Sequence, residues 1–450
     1  MILKKQILEL EALILERIKG QIKLIHDQDE RIELANKVLE DILLHHDSFR
    51  PLFKDTPAQK KFIEEFLSYG MIEDLLCDAN VEDIVINALK PIYIHHSQKG
   101  FIVTRHQFQS HQELKIFIDK LLIFSGRTGY KKIANLELMN LAGRVNIVDS
   151  PLGPQVTITK AKLDPLSIID LIKTGSLTYE VGGQLWIYLE GLSVRPANII
   201  IAGGPGTGKT TLLNALLSFI PSKDRLVVIE DTLELNTFLE DSCSRLETDD
   251  EISLADLVKN SLRMRPERII VGEVRGEEAR DMITAVNVGK YCMGTIHALT
   301  SREAILRLQN EPMNVPESLI NMIDVFIILK RYHVDSRIFR VVDEVSETSG
   351  MENLKVLLTQ VFKYNYDQKR VMPVAASTVY RDRLAIESGY SPRDVINETW
   401  LRALVLKALV DKGIHTVKEV STFCRYYTQF PAEAMTSIGL DRERLLKEIQ

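Results

Sequence analysis

A chain of 450 residues exceeds the roughly 250–300 at which a single hydrophobic core stops growing, so two or three domains are expected. Hydrophobic residues at 45%, charged residues at 26% and a net charge of −6 describe an ordinary folded protein and argue against a general nucleic-acid binder. Cys77, Cys243, Cys292 and Cys424 form no C-x-x-C pair, which argues against a disulfide framework or a zinc site.

In the opening segment, Glu9, Glu11 and Glu16 interrupt the apolar run too early for a signal peptide. No stretch approaches the ~20 apolar residues of a membrane span, so an intracellular protein is expected, with any membrane contact made through partners. Residues 2–46 place Ile7, Leu10, Ile14 and Ile18, then Ile32, Ala35, Leu39 and Leu43, at helical spacing. They predict two amphipathic helices that form a layer on the domain behind them rather than a free coiled arm.

A helix is expected from Lys60 to Leu76, then strands at 81–87 and 92–95 broken by Lys90-Pro91, and a third at 100–103. The segment 112–124 carries Leu114, Phe117, Ile118, Leu121 and Leu122 on one helical face, and 143–151 and 156–160 read as further strands. This is an α+β domain with little visible chemistry. The adjacent pairs His45-His46 and His95-His96 diverge on either a helix or a strand and read as surface histidines. A boundary follows near Leu163-Asp164-Pro165, after which Pro165 and Ser167 open a helix to about Lys173.

The buried run Ile199-Ile200-Ile201 leads into Gly203-Gly204-Pro205-Gly206-Thr207-Gly208-Lys209-Thr210, which fits G-x-x-x-x-G-K-[ST], and then into a helix from Thr211. Strand, glycine loop and helix together are the context that this phosphate-binding motif requires. The backbone N–H groups from Gly204 to Thr211, Pro205 excepted because it has none, would converge on a phosphate at the positive end of the helix. Lys209 would reach the β- and γ-phosphates, and the Thr210 hydroxyl would hold Mg²⁺. Strands at 226–229, 269–271, 293–296 and 325–329 then alternate with helices at 254–264, 277–288 and 301–309, a pattern that builds a largely parallel sheet covered on both faces. A closing hairpin is expected at Phe339–Val345 and Leu354–Phe362 around Ser349-Gly350. The C-terminal part is helical, opened by Ser391-Pro392, stopped by Gly413 and resumed by a capping box at Thr416-Val417-Lys418-Glu419.

A phosphate loop needs acids at neighbouring strand ends, which in a parallel sheet share one rim. Glu230-Asp231-Thr232-Leu233-Glu234 ends one strand and Glu273 another. Glu273 suits contact with Mg²⁺, and Glu234, ahead of Glu230, suits activation of the attacking water. The arginines Arg245, Arg263, Arg265, Arg268 and Arg275 cluster in sequence here, some of them paired with Glu247, Asp249, Asp250 and Glu251. One or two, with Arg263 and Arg265 as candidates, are expected to stabilise phosphoryl charge. His297 ends a further strand on the same rim.

The tract Leu262-Arg263-Met264-Arg265-Pro266-Glu267-Arg268-Ile269-Ile270-Val271-Gly272-Glu273-Val274-Arg275-Gly276 closely resembles the Walker B region of the type II/type IV secretion ATPases. Within them it is most similar to the Tad/Cpa pilus branch and its archaeal relatives. The order of motifs also matches: Walker A, an "Asp box" at Glu230–Glu234, Walker B, and a "His box" at Gly294–Ala298. The resemblance implies a RecA-like P-loop ATPase domain of α/β class, with an N-terminal α+β domain and a C-terminal helical segment. The expected divisions are residues 1–58, 59–162, 163–372 and 373–450. It implies ATP and Mg²⁺ as ligands, with Lys209 and Thr210 on phosphate and metal, Glu234 as catalytic carboxylate, Glu273 as the Walker B acid and His297 as the His-box residue. Arg144 matches an arginine of the N-terminal domain that approaches nucleotide in relatives. A homohexamer is implied, acting on a polytopic membrane platform protein from the cytoplasmic side, with nucleic acid an unlikely ligand. Four departures stand out: Thr159 replaces the arginine of a T-I-R-K motif, Lys290 follows Gly289 in place of a histidine, Leu299 follows His297-Ala298 in place of an asparagine, and no tetracysteine motif is present. Thr159 leaves Lys160 or Arg144 to substitute. The competing readings are a conjugation-type traffic ATPase and a RecA-like nucleic-acid motor. A GTP switch lacks its N-K-x-D motif, because Asn36-Lys37-Val38-Leu39 has no acid.

Overall fold

The computed structural model describes residues 2–21, 28–97, 99–127, 129–138, 143–160, 165–235, 242–248, 251–334, 337–353 and 355–449. The expected boundary at Leu163-Asp164, the acids Asp249 and Asp250, and Leu354 lie outside the described residues. The chain forms two compact units, Met1–Leu163 and Asp164–Gln450.

The first unit is built on an antiparallel sheet of β1 (Val81–Asn87), β2 (Tyr93–His96), β3 (Gly100–Val103), β4 (Ile133–Leu138), β5 (Gly143–Ser150) and β6 (Gly153–Lys160), in the order β3-β2-β1-β6-β5-β4. Strand β4 was not expected; the β5 strand supplies its pairing partner, a non-local condition that its own residues do not announce. Ile84, Ile86, Val145, Ile147, Val156 and Ile158 point to one face by strand alternation and are buried. The helices Ile2–Ile18, Gln28–His45, Thr56–Leu67 and His111–Phe124 cover that face. Leu10, Ile14, Ile18, Leu39 and Ile42 share one core with Phe66, Leu114 and the strand residues, so the first two helices are a layer on this domain. Lys120 and Glu11, both nearly buried, meet at 3.1 Å and tie the first helix to His111–Phe124.

The second unit contains β7 (Ile199–Gly203), β8 (Leu226–Glu230), β9 (Cys243–Glu247), β10 (Arg268–Val271), β11 (Tyr291–Ile296), β12 (Val325–Val334), β13 (Arg337–Glu352), β14 (Lys355–Asn365) and β15 (Arg370–Pro373). Their order is β15-β14-β13-β12-β7-β11-β10-β8-β9. Neighbours from β12 to β9 are parallel, and β12 to β15 form an antiparallel extension. The unbroken apolar run of β7 has a direct cause. Ile199 and Ile201 enter a core with Leu212, Leu213 and Leu216 of the helix Lys209–Leu216. Ile200 and Ala202 enter a second core, on the other face, with Val258, Ile283 and Ile305. A strand buried on both faces has no polar positions to alternate with.

The hairpin differs from expectation. Ser349-Gly350 lies within β13, where the register with β14 shifts between Thr348 and Gly350, and the chain reverses beyond it near Asn353, whose φ is 48°. A glycine in a strand marked a bulge here rather than a turn.

A second unforeseen element is the helix Tyr179–Glu190, buried from Val181 to its end. Its sequence has no polar face, so helical periodicity is invisible. A Cβ on Gly183 would lie 2.7 Å from Thr399 O and 2.8 Å from Ala403 N, so glycine allows the helix Pro392–Lys412 to cross at backbone contact. Trp186 stacks on Phe219 at 5.0 Å and meets Tyr427 at the same distance. Beneath them the buried Arg402 pairs with Glu190 and with Glu398 at 3.3 Å. The C-terminal helices are thereby fastened to the parallel sheet's own core. Arg402→Ala leaves the buried Glu190 carboxylate without its cation, while Glu398 keeps Arg442 at 2.8 Å, and is expected to cost roughly 3–5 kcal/mol. Denaturant unfolding followed by tryptophan fluorescence measures this, and adding Glu190→Gln should restore part of the loss.

Candidate functional site

The phosphate loop leaves β7 at Gly203 and enters the helix at Lys209. Thr207 Oγ1 donates to Gly204 O at 2.8 Å and closes the turn. Gly208, at φ 96°, takes a conformation that a side chain would strain and turns the first helical N–H groups toward the loop. Thr210 and Thr211 follow in the first turn, partly accessible.

Lys209 is 8% exposed. Its Nζ donates to Gly204 O and to His297 Nδ1, each at 3.3 Å. The other imidazole nitrogen, Nε2, lies 3.2 Å from Glu273 Oε1. A donating ammonium requires Nδ1 to accept, which leaves Nε2 to carry the proton toward the carboxylate. Three strand ends are thus joined in one line: β7 through Lys209, β11 through His297 and β10 through Glu273. Burial lowers the Lys209 pKa, and the charge of Glu273 only partly opposes this. A cation withdrawn from water with only a carbonyl and a neutral ring as partners fits a phosphate oxygen. The Thr210 hydroxyl and the Glu273 carboxylate are oxygen donors of the kind Mg²⁺ accepts beside phosphate and water. Among the described residues no group of three or more His, Cys, Asp or Glu forms a metal cage.

Glu230 and Glu234 occupy different environments. Glu230 is 3% exposed and accepts from the amides of Glu234 and Leu235 at 3.0 and 3.2 Å, with Arg245 at 3.8 Å. It fits because Gly272 has no side chain: a Cβ there would lie 2.9 Å from Glu230 Cγ. Glu230 therefore anchors the loop, and Glu234 stands exposed at its end. Asp231 pairs with Arg275 at 2.7 Å, which ties this loop to the segment after β10.

Arg263 and Arg265 do not join this rim. They precede β10, on the side where Arg225 Nε donates to Met264 O at 3.0 Å. Glu273 follows β10 at its other end, and the strand's four residues span about 13 Å. Within one chain the two arginines are separated from the phosphate loop by the depth of the sheet. Proximity in sequence misled here, because the helix Leu254–Ser261 carries the chain back across the sheet before β10 begins. Arg268 is structural, bound to Asp224 and Leu189 O. The arginines that do stand at the rim are Arg245 and Arg275. Arg331 and Arg340, beyond the expected end of β12, were not singled out. Arg340 Nε donates to Gly206 O of the phosphate loop at 2.9 Å.

In the first unit Arg144 of β5 is exposed and stands in register with Thr159 of β6 and Glu137 of β4. Thr159 Oγ1 donates to Asp83 at 2.7 Å. Lys160 turns the other way and donates to the carbonyl oxygens of Asp78 at 2.6 Å and Leu75 at 3.4 Å. With its ammonium bound to backbone carbonyls, Lys160 does not share the face of Arg144.

A parallel sheet ordered β12-β7-β11-β10-β8, with a glycine loop on the second strand and acids on the next strand ends, defines a RecA-like P-loop domain, here joined to an N-terminal α+β unit and C-terminal helices. The type II/IV secretion system protein family matches residues 134–331. An uncharacterized protein of Methanocaldococcus jannaschii is 30% identical over 389 residues, covering 82% of this chain and 70% of that protein. The conjugal transfer protein TrbB of Rhizobium radiobacter is 30% identical over 257 residues, 55% of this chain and 78% of that protein. The X-ray structure of the Legionella pneumophila ATPase DotB aligns at a TM-score of 0.47 and 18% identity, over 84% of this chain and 93% of that one. The chain belongs to the type II/IV secretion system protein family.

Burial pushes the Glu230 carboxyl from 4.5 up to about 7, against the pull of the two amides and Arg245. Ionising it is therefore harder in the folded chain than in the unfolded one. Its contribution to stability should fall as pH rises from about 4.5 to about 7, by on the order of 3 kcal/mol. Glu230→Gln should flatten that part of the profile of melting temperature against pH; an unchanged slope would assign the effect to another group.

Proposed function

We propose that this chain is a Mg²⁺-dependent ATPase whose turnover drives type IV pilus assembly of the Tad or archaeal type, or protein secretion. It works as a homohexamer at the cytoplasmic face of a membrane, against a polytopic platform protein. The observation that carries the reading is the Lys209–His297–Glu273 line across three strand ends. Lys209 moves from the imidazole and Gly204 O onto the phosphates of ATP, and Thr210 and Glu273 hold Mg²⁺. His297, released from Lys209, keeps its Nε2 proton on Glu273 and so holds that carboxylate in place beside the phosphates. Glu234 accepts the proton of the attacking water, held in place by the amide bonds of its loop to Glu230. Arg144, exposed on β5 and matched by the resemblance, is the N-terminal-domain arginine in this reading. Among the described residues no helix is long and apolar enough to cross a membrane, in keeping with force delivered through a partner.

A second reading is a conjugation-type traffic ATPase, supported by the similarity to a protein named for conjugal transfer. Neighbouring genes for pilins and a platform protein favour the first, and genes for a mating apparatus the second. DNA-stimulated turnover would point to a nucleic-acid motor instead.

Lys209→Ala and Glu273→Ala should abolish phosphate release from MgATP without changing the circular dichroism spectrum. Glu234→Gln should retain ATP binding and lose at least ~100-fold in turnover. Normal turnover in that variant would move the base to another acid. Sedimentation of the Glu234→Gln protein with MgATP should give a six-subunit species.

A further inference from the structure

Strands β12 and β13 continue past the rest of the sheet. β12 pairs with β7 only from Val325 to Leu329, where Leu329 stands opposite Gly203, and Lys330–Val334 pair with β13 alone. This two-stranded extension, Lys330–Val334 paired with Arg337–Val341, therefore projects beside the loop that begins at Gly203. Its two faces differ. Tyr332 and Phe339 stack at 5.3 Å on one, with Tyr364 and Tyr366 at 5.8 and 5.6 Å from Tyr332. Arg331 and Arg340 are direct cross-strand partners on the other.

That second face is turned to the phosphate loop. Arg340 Nε donates to Gly206 O at 2.9 Å, and a Cβ on Gly206 would lie 3.1 Å from Arg331 Nη1. Both side chains are exposed, and neither meets a carboxylate among the described residues. Like charges directly opposite on neighbouring strands repel. An anion lying against the loop and both guanidinium groups would remove that repulsion, and the guanidinium fork matches phosphate oxygens.

We propose that Arg331 and Arg340 bind the polyphosphate of the nucleotide in cis. They approach from the β12 side of the loop, while His297 and Glu273 approach from the β11 and β10 side. The phosphates are gripped between two sets of groups borne on opposite sides of β7. The inference rests on the nucleotide-site reading above.

The test uses the full chain and a fluorescent MgADP analogue, with tripolyphosphate as a competitor that lacks base and ribose. Arg331→Gln and Arg340→Gln should each weaken MgADP about tenfold, and the double variant about a hundredfold. Tripolyphosphate should weaken by the same factors. Arg331→Gln, which removes the repulsion and leaves the bond to Gly206 intact, should raise the melting temperature of the nucleotide-free protein. Unchanged MgADP affinity in the double variant overturns the proposal. So does weakened MgADP with unchanged tripolyphosphate, which would assign the arginines to base or ribose. Lost affinity with a lowered melting temperature of nucleotide-free Arg331→Gln marks a structural role and overturns it too. Lys209→Ala separates the two levels. If it binds MgADP as the wild type does, the nucleotide site itself fails; if it loses binding while the glutamine variants do not, only this inference fails.

Discussion

Lys209 is a cation taken out of water without a carboxylate to receive it. Its ammonium rests on a backbone carbonyl and on one nitrogen of His297, and burial has already lowered its affinity for the proton. The arrangement is stable only because the parallel sheet brings the ends of β7, β11 and β10 to one rim. His297 can then pass its other nitrogen to Glu273. The charge deficit at the loop is the feature that the neighbouring groups answer to. Glu230 is buried to anchor one acid-bearing segment, Asp231 and Arg275 pin that segment to the next strand, and Gly272 yields the space.

The sheet that sets this rim depends on burial on both faces. One core contains Ile199 and Ile201, the other Ile200 and Ala202, and helices close both. The C-terminal helices belong to the first of these cores through Trp186, Tyr427 and Arg402 rather than forming a separate body. Displacement of the helix Pro392–Lys412 would therefore be felt at Tyr179–Glu190 and, through that core, at β7.

Much of the fold was legible because its signals are local. The buried β-branched strand leading into the loop, the cap at Ser391, the capping box at Thr416, and the strand ends carrying Glu230, Glu273 and His297 were all read from neighbouring residues. The elements missed were those whose cause lies elsewhere in the chain. The helix Tyr179–Glu190 shows no periodicity because from Val181 onward it has no solvent face. Strands β4 and β9 are defined by their partners, and Gly350 marks a bulge that only the pairing of β13 with β14 distinguishes from a turn.

The amino-acid sequence by itself determined the phosphate loop, the acids that share its rim and the family they resemble, because spacing within a strand–loop–helix unit decides where those groups point. Tertiary structure alone decided which basic groups come near. Arg263 and Arg265, close to Glu273 in sequence, lie beyond the far end of β10, and Lys160 is spent on backbone carbonyls. Arg331 and Arg340, more than a hundred residues from the loop, stand against it. The physical reason is that strand register and the crossing of helices over the sheet set distance in space, and both are fixed by long-range pairing that no local spacing encodes.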